Sequence, residues 1–328
     1  MCRTRVIGNV NGPEIVTGRG NCSFSTINLP RLAILSDHNI DKFFELLDRY
    51  LDMAERQLYE RFEYQGSKKV KNFPFLMGEG FWLGSEKLGP EDTLEEVIKQ
   101  GTLSIGFIGL AEALIALIGK HHGESAEAQE LGLKIIGHMR DFCDDATKRR
   151  HLNYTLLATP AEGLTGKLIR KDKKDFGIIP GVTDREYYTN SVHVPVYYDI
   201  SVFDKIEIEA PYHALCNAGH ICYVELDGDV CQNIDAIEEI LAWMKECGVG
   251  YGSINHPVDY DPVCGYVGVI GDTCPRCGRK EFEGVPIQRL KKLGVWKEYN
   301  AKRIGYPGDP SEEADRKPNI YEVHKQGG

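Results

Sequence analysis

An α/β fold is predicted for this chain, and three observations predict it. Stretches with apolar residues at helical spacing alternate with short, turn-bounded apolar runs from about residue 24 to about residue 255. That alternation argues for strands layered with helices, in a parallel or barrel-like arrangement. Beyond residue 255 the pattern stops and cysteine-bearing turns replace it, followed by a tail dominated by Gly, Pro and charge.

The elements follow in chain order. The first twenty residues are rich in loop formers, among them Gly8, Asn9, Asn11, Gly12 and Pro13. A long polar loop leading into a buried strand is an unusual way to open a domain, so an earlier half is expected to be missing or to sit on another chain. Phe24 to Leu32 reads as an apolar strand with Pro30 near its end. Asp41 to Phe62 reads as an amphipathic helix whose face is Phe43, Phe44, Leu47, Leu51, Ala54 and Leu58. Lys71–Gly78 reads as a strand and turn, and Glu91–Lys99 as a short helix. Thr102–Gly119 reads as an apolar, Gly-interrupted buried helix, and Ser125–Arg150 as a long helix with His138 at its core edge. Tyr154–Gly163 is a strand running into a turn. Tyr187–Pro195 gathers hydroxyls, an amide and an imidazole in one loop, which suits a surface loop or a substrate contact equally. Ile206–Gly219 gives strand and turn signals, Ile221–Leu226 a strand, and Asn233–Gly248 a capped helix. In the tail, Glu281–Gly284 reads as a linker and Val285–Leu293 as a short helix.

Composition excludes several classes. A net charge of −10 without a useful basic run argues against a nucleic-acid surface. The longest apolar run, Ile105 to Ile118, carries Glu112 and is too short to span a bilayer. Ten cysteines with no signal peptide at the start imply a reducing, cytoplasmic setting. There, thiols serve as ligands, catalysts or small buried residues; Cys143, Cys216, Cys222 and Cys247 fit the last role.

The cysteine turns carry the sharpest signal. Cys274-Pro275-Arg276-Cys277-Gly278 is a knuckle whose two thiolates can grip one ion, and Asp261-Pro262-Val263-Cys264-Gly265 has the same shape with a carboxylate first. Two such knuckles read as a zinc ribbon, since Zn²⁺ takes four S, N or O ligands tetrahedrally. The ligands are Cys264, Cys274 and Cys277, with Asp261 or His256 as the fourth. The plainer alternative is one redox or structural CxxC with Cys264 merely buried.

Several motifs together resemble one family. They are Met1-Cys2-Arg3-Thr4, Gly18-Arg19-Gly20-Asn21 running on to Pro30-Arg31, Phe73 to Gly78, Leu83 to Lys87, and Gly101 to Leu110. Gly119 to Glu124, Ala158 to Gly163, Tyr187 to Ser191 and Tyr251 to Pro257 complete the set. Over nearly all of residues 1–280 the chain resembles the C-terminal half of anaerobic (class III) ribonucleoside-triphosphate reductase, a glycyl-radical enzyme. The resemblance implies the second half of a ten-stranded α/β barrel in residues 1–255, a zinc ribbon in 256–282 and a radical-bearing C-terminal segment in 283–328. It implies reduction of ribonucleoside triphosphates, with Cys2 as the thiol that abstracts the 3′ hydrogen of the ribose. Asn21 and the Tyr188–His193 loop would touch substrate. The radical would be stored on a glycine, installed by a radical-SAM activase that carries a [4Fe-4S] cluster. Implied partners are the nucleotide, the activase, a separate N-terminal half and further copies of the chain, with no membrane and no nucleic acid.

Four departures qualify the match: the N-terminal half is lacking, Asp261 replaces a knuckle cysteine, Cys2 follows Met1 without the Gly the family places between them, and the radical motif is altered. The radical motif stands as Arg303-Ile304-Gly305-Tyr306, one residue short and far beyond Cys277, while Gly294 lies nearer the expected spacing without the motif. A glycine suits storage because no side chain crowds a planar α-carbon. Two other readings are a silent zinc-ribbon fragment that binds a partner, and a glycyl-radical enzyme acting on a small acid or alcohol.

Overall fold

Three parallel strands form the centre of the computed structural model, in the order β1 (Asn21–Asn28), β2 (Thr102–Ile108), β3 (Asn153–Ala158). The structure describes residues 4–226, 233–255, 259–261, 263–268, 270–282 and 285–286, together with Asp315, Lys317, Asn319 and Ile320. Between β1 and β2 run α1 (Leu29–Ser36), α2 (Ile40–Gly66) and α3 (Glu95–Ile98). Between β2 and β3 run α4 (Leu110–Ile118) and α5 (Ala126–Arg150). After β3 come α6 (Glu162–Phe176), α7 (Val202–Glu209) and α8 (Pro211–Leu215). A second parallel pair, β4 (Cys222–Glu225) and β5 (Gly252–Asn255), brackets α9 (Ile234–Glu246). The five parallel strands thus fall into a three-stranded and a two-stranded sheet, linked by a single bridge between Leu157 and Gly219. Hydrogen bonds do not trace one continuous half-barrel through the described residues; the mixed α/β character is plain.

The long helices form where their caps and faces predict. Asn39 accepts from the Lys42 N–H and opens α2, and Ser125 does the same for α5 through Ala128. Phe43, Leu47, Leu51 and Leu58 on α2 are fully buried, each contributing about 1.5–3 kcal/mol. They pack in one core with Ile135, Met139 and Cys143 of α5 and with Leu103, Ile105 and Phe107 of β2. His138 lies outside that core, half-exposed, with its Nε2 2.5 Å from Asp48.

Other expectations are corrected. The first strand ends at Asn28, not Leu32: Asn28 caps α1, and Pro30 fits its first turn, where no N–H is needed. Lys71–Gly78 is two short helical turns rather than a strand. Thr102–Gly119 divides into β2 and α4 at Gly109, whose φ of 74° breaks the run. A Cβ there would also press on Pro30. A fully buried strand and a buried helix segment look alike in an unbroken apolar run. Ile206–Gly219 is mostly helix, α7 capped by Ser201 and then α8, not strand. Val285–Pro286 pairs with Glu281–Phe282 as a small hairpin, β8 and β9 once Asp259–Tyr260 and Val267–Gly268 are counted as β6 and β7. The remainder of Val285–Leu293 lies outside the described residues.

Two segments tie the body together. Residues 4–20 cross the N-terminal ends of the strands, with Arg5 N–H donating to Ala218 O, Val10 N–H to Asn153 Oδ1, and Arg19 Nε to Gln100 O. At the other end of the chain, Lys317 N–H donates to Val196 O and Asn319 N–H to Glu225 O, while Ile320 bridges Ser201. Asn319 Oδ1 accepts from Glu225 N–H at 2.9 Å, and Asp315 pairs with Arg185 at 2.9 Å. Among the described residues no helix is long and apolar enough to cross a membrane.

Candidate functional site

Two regions carry chemistry, the paired knuckles and the polar face of the main sheet. The knuckles share one backbone design. Asp261 O accepts from Gly265 N–H at 2.8 Å, as Cys274 O accepts from Gly278 N–H at 2.9 Å, and both glycines sit near φ 70°. Asp261 therefore occupies the place in its turn that Cys274 holds in the other. Its Oδ1 accepts from the N–H groups of Val263 and Cys264, at 2.9 and 3.2 Å, leaving Oδ2 toward Cys277 Sγ at 3.3 Å. Burial alone would raise this carboxyl, but those N–H groups and the neighbouring thiols hold it well below the ordinary range.

Donor spacing tests the fit to a metal. The ligand atoms of Asp261, Cys264, Cys274 and Cys277 all lie within 4.8 Å of one another. A tetrahedral zinc with bonds of about 2.3 Å to sulfur and 2.0 Å to oxygen implies S–S edges of about 3.8 Å and S–O edges of about 3.5 Å. Cys264 Sγ to Cys274 Sγ is 3.6 Å and Cys277 Sγ to Asp261 Oδ2 is 3.3 Å. The residues present fit one ion. His256 lies outside the described residues.

The main sheet has two unlike faces. Leu103, Ile105, Phe107, Tyr154 and Leu156 point into the helical core. Residues of the opposite face alternate with them: Asn21, Phe24, Thr26 and Asn28 on β1, Thr102, Ser104, Gly106 and Ile108 on β2, Asn153, Thr155 and Leu157 on β3. Asn21 Nδ2 donates to Thr102 Oγ1 at 3.1 Å and also to Ser104 Oγ, which is 2.9 Å from Thr155 Oγ1. Thr26 and Thr159 hydroxyls meet at 3.1 Å over Gly106, where a Cβ would collide with Thr159 Oγ1.

At the C-terminal strand ends the Tyr187–Pro195 loop is sewn onto the sheet. Gly109 N–H donates to Thr189 O, Leu110 N–H to Ser191 O, and Ala161 N–H to Asn190 Oδ1. Tyr187 through Val194 are buried, so the surface-loop reading fails. Sequence reasoning missed the carboxylates beneath this loop. Glu112 Oε1 accepts from Thr189 N–H and Oγ1 at 2.8 and 2.6 Å, and burial raises its pKa against those bonds. Asp172, fully buried, accepts from Asn28 Nδ2 at 2.7 Å, Tyr188 OH at 2.8 Å and Arg31 at 2.5 Å. Each partner lies far away in sequence, which leaves no local signal. A charge inside an apolar run, as Glu112 is, was the one available hint. Asn21 stands at the opposite end of β1, roughly 23 Å from this loop at the usual rise per residue.

A family profile described as anaerobic ribonucleoside-triphosphate reductase matches residues 1–290. The chain belongs to the anaerobic ribonucleoside-triphosphate reductase family. It is 34% identical over 289 residues to the Escherichia coli anaerobic ribonucleoside-triphosphate reductase, covering 86% of this chain and 40% of that protein. Against the enzyme of enterobacteria phage T4 it is 32% identical over 312 residues, covering 92% and 47% respectively. The fold matches an anaerobic ribonucleotide reductase from Thermotoga maritima, solved with MES in the active site. That match has a TM-score of 0.65 at 18% identity, over 85% of this chain and 44% of that one. The chain thus spans less than half the length of the reductases it matches.

Of the residues that the resemblance marks in this reductase-family chain, Asn21, Asp261, Cys264, Cys274 and Cys277 are described, and the last four converge. Cys2, Gly294 and Gly305 lie outside the described residues. Cys143, Cys216 and Cys222 are fully buried and Cys22 is half-buried, with burial raising each thiol. Among the described residues one further cluster has metal-like spacing: His193, Glu209 and His220, all buried, within 4.8 Å. Lys205 Nζ stands 3.1 Å from Glu209 Oε1 and donates to Tyr223 O, while His193 Nδ1 and Val194 N–H approach the same carboxylate at 3.2 and 2.9 Å. Burial opposes both charges, yet Lys205 and His193 hold Glu209 well below its usual value, and Glu209 raises Lys205. The ammonium already supplies the cation, so this is a buried ion pair that anchors the loop to α7 rather than a metal site.

Proposed function

We propose that this chain supplies the thiol, the zinc ribbon and the radical glycine of an anaerobic ribonucleoside-triphosphate reductase, whose barrel the family's N-terminal half completes. The observation that carries this reading is the polar face of the β1–β2–β3 sheet. Parallel strands are usually apolar on both faces, and here hydroxyls and amides share the side away from the main helical core with Phe24, Ile108 and Leu157. Such a face, completed by a second half into the ten-stranded barrel, would form a lumen suited to a ribose. In this reading residues 1–255 form the barrel half, 256–282 the ribbon and 283–328 the radical-bearing segment.

Each residue has a role in this reading. Cys2 exchanges one hydrogen atom with the ribose 3′ carbon, the S–H bond forming as the C–H bond breaks. Asn21, held by Thr102 and Ser104, presents its remaining amide surface to the lumen. Gly305 stores the radical that a radical-SAM activase with its [4Fe-4S] cluster installs. Zinc on Asp261, Cys264, Cys274 and Cys277 would fix the ribbon from which the C-terminal segment departs, and metal binding to so small a unit is folding energy. Ribonucleoside triphosphate is the substrate class, and the setting is cytoplasmic.

The test is an EPR spectrum after anaerobic incubation with the activase, followed by assay with the N-terminal half supplied in trans. A glycyl doublet with deoxynucleotide formation is expected. The second reading, a catalytically silent zinc-ribbon protein that binds a partner, rests on the convergence of Asp261, Cys264, Cys274 and Cys277, which needs no radical chemistry. Zinc binding without any doublet would favour it.

A further inference from the structure

Outside both regions described above, a cleft of about 500 Å³ opens at the N-terminal ends of the strands. Arg5, Arg140, His213, Asn217, Gly248 and Gly250 line it. Arg140 is neutralised by Asp144, whose two oxygens lie 2.9 and 3.0 Å from its Nε. Arg5 differs: no carboxylate pairs with it among the described residues. Its Nη2 donates to His213 O at 3.4 Å and Cys216 O at 3.3 Å, but its buried Nε meets no acceptor among the described residues. His213 is 3% exposed, and its Nδ1 accepts from Gly250 N–H at 3.3 Å. Burial lowers its pKa to about 4, against the pull of Glu209 and with the help of Arg5, so the ring is neutral near pH 7. With Nδ1 accepting, the ring proton sits on Nε2, and that N–H also lacks an acceptor among the described residues.

A purely structural role accounts for part of this. Arg5 and Arg140 donate to the carbonyls of His213, Ala214, Leu215 and Cys216, so both cap the end of α8. Capping leaves two buried donors, Arg5 Nε–H and His213 Nε2–H, unmatched among the described residues on two side chains that line one cleft, and a buried donor without an acceptor is costly. Gly250 keeps the approach clear, since a Cβ there would lie 2.7 Å from Arg5 Nη1.

We propose that this cleft binds a small oxyanion, a phosphate or a carboxylate, between the Arg5 guanidinium and His213 Nε2–H. With Nη2 spent on two carbonyls, Arg5 keeps its Nη1 and Nε N–H groups and its full charge for such an anion, and the imidazole adds a further donor from the wall. The cleft volume leaves room for an organic group on the anion. Nothing in this assignment depends on the reductase reading.

Calorimetric titration of the zinc-loaded full chain, with inorganic phosphate and with acetate, tests the proposal. One saturable one-to-one site is expected for at least one probe, and the tighter probe identifies the source chemistry. His213→Phe and Arg5→Gln should each weaken it at least about tenfold, the scale of one charge-assisted hydrogen bond. Linear, non-saturating heats with both probes, or unchanged affinity in a folded variant, would overturn the assignment. If both variants lose their circular dichroism signature, the wild-type protein still decides. The His213 Nε2–H resonance must shift with phosphate, and a resonance that does not move with either probe refutes the site.

Discussion

Lys205→Met is the sharpest perturbation of the fold. The variant keeps the length of the side chain on α7 but removes the ammonium, leaving Glu209 ionised, fully buried and without its closest cation. Breaking a buried pair from one side typically costs about 3–5 kcal/mol, because the remaining charge keeps its desolvation penalty. The structure places this cost near the top of that range, since Lys205 also satisfies Tyr223 O at 2.5 Å. Urea denaturation at pH 7 reads it. With a slope of about 3 kcal/mol per molar, the midpoint should fall by roughly 1–1.7 M. Lys205→Met with Glu209→Gln should recover part of the loss, because no unpaired carboxylate remains. The pH dependence has a definite sign. Glu209 is held below its ordinary value, so its contribution is present above about 4.3, the unfolded value, and is lost as pH falls toward the folded one. Lys205 is held above its own, so its contribution is present below about 10.4 and disappears as pH rises through the folded value. A midpoint unchanged within error for Lys205→Met would refute the ion-pair account, as would a second metal equivalent in protein whose ribbon holds one.

Further outcomes follow from the other sites. Purified protein should carry one zinc, and Cys274→Ser should lose it, measured by elemental analysis; a full equivalent retained in the variant would remove the knuckles from the site. Gly109→Ala should cost about 1–3 kcal/mol or more, because it combines positive φ with a contact on Pro30 Cδ at 2.6 Å; a thermal midpoint equal to wild type would contradict that. With the N-terminal half in trans, Cys2→Ser should abolish reduction while the EPR doublet persists, and retained turnover would move the role to another thiol. Oxygen exposure of activated protein should cleave the chain at Gly305, as read from fragment mass, and a break at Gly294 would replace that choice.

What the sequence disclosed was mostly what neighbouring residues decide together. Helices α2, α5 and α9 were legible because cap, apolar face and stop lie within one short window, as with Asn233 before Ile234 and Gly248 after Cys247. The knuckles were legible for the same reason, their ligands being three residues apart. Thr102–Gly119 was not, because burial on all sides removes the period that separates strand from helix, and only the φ of Gly109 marks the change. The Tyr187–Pro195 loop has the composition of a solvent-facing turn, yet its polar groups are satisfied by Glu112, Thr159 and Ala161, all distant in the chain. His193, Glu209 and His220 lie 16 and 11 residues apart, on a loop, a helix end and a strand approach. No periodicity links such positions; only the fold does.

The return of the chain at Lys317, Asn319 and Ile320 onto Val196, Glu225 and Ile200 makes a strap that holds the segment before α7 against the end of β4. Its bonds are of unequal worth. Asn319 closes a two-way pair with the backbone of buried Glu225, whereas the Lys317–Asp199 pair is exposed and adds little. A partner that displaced this strap would meet its resistance at Asn319 rather than at the charged pair.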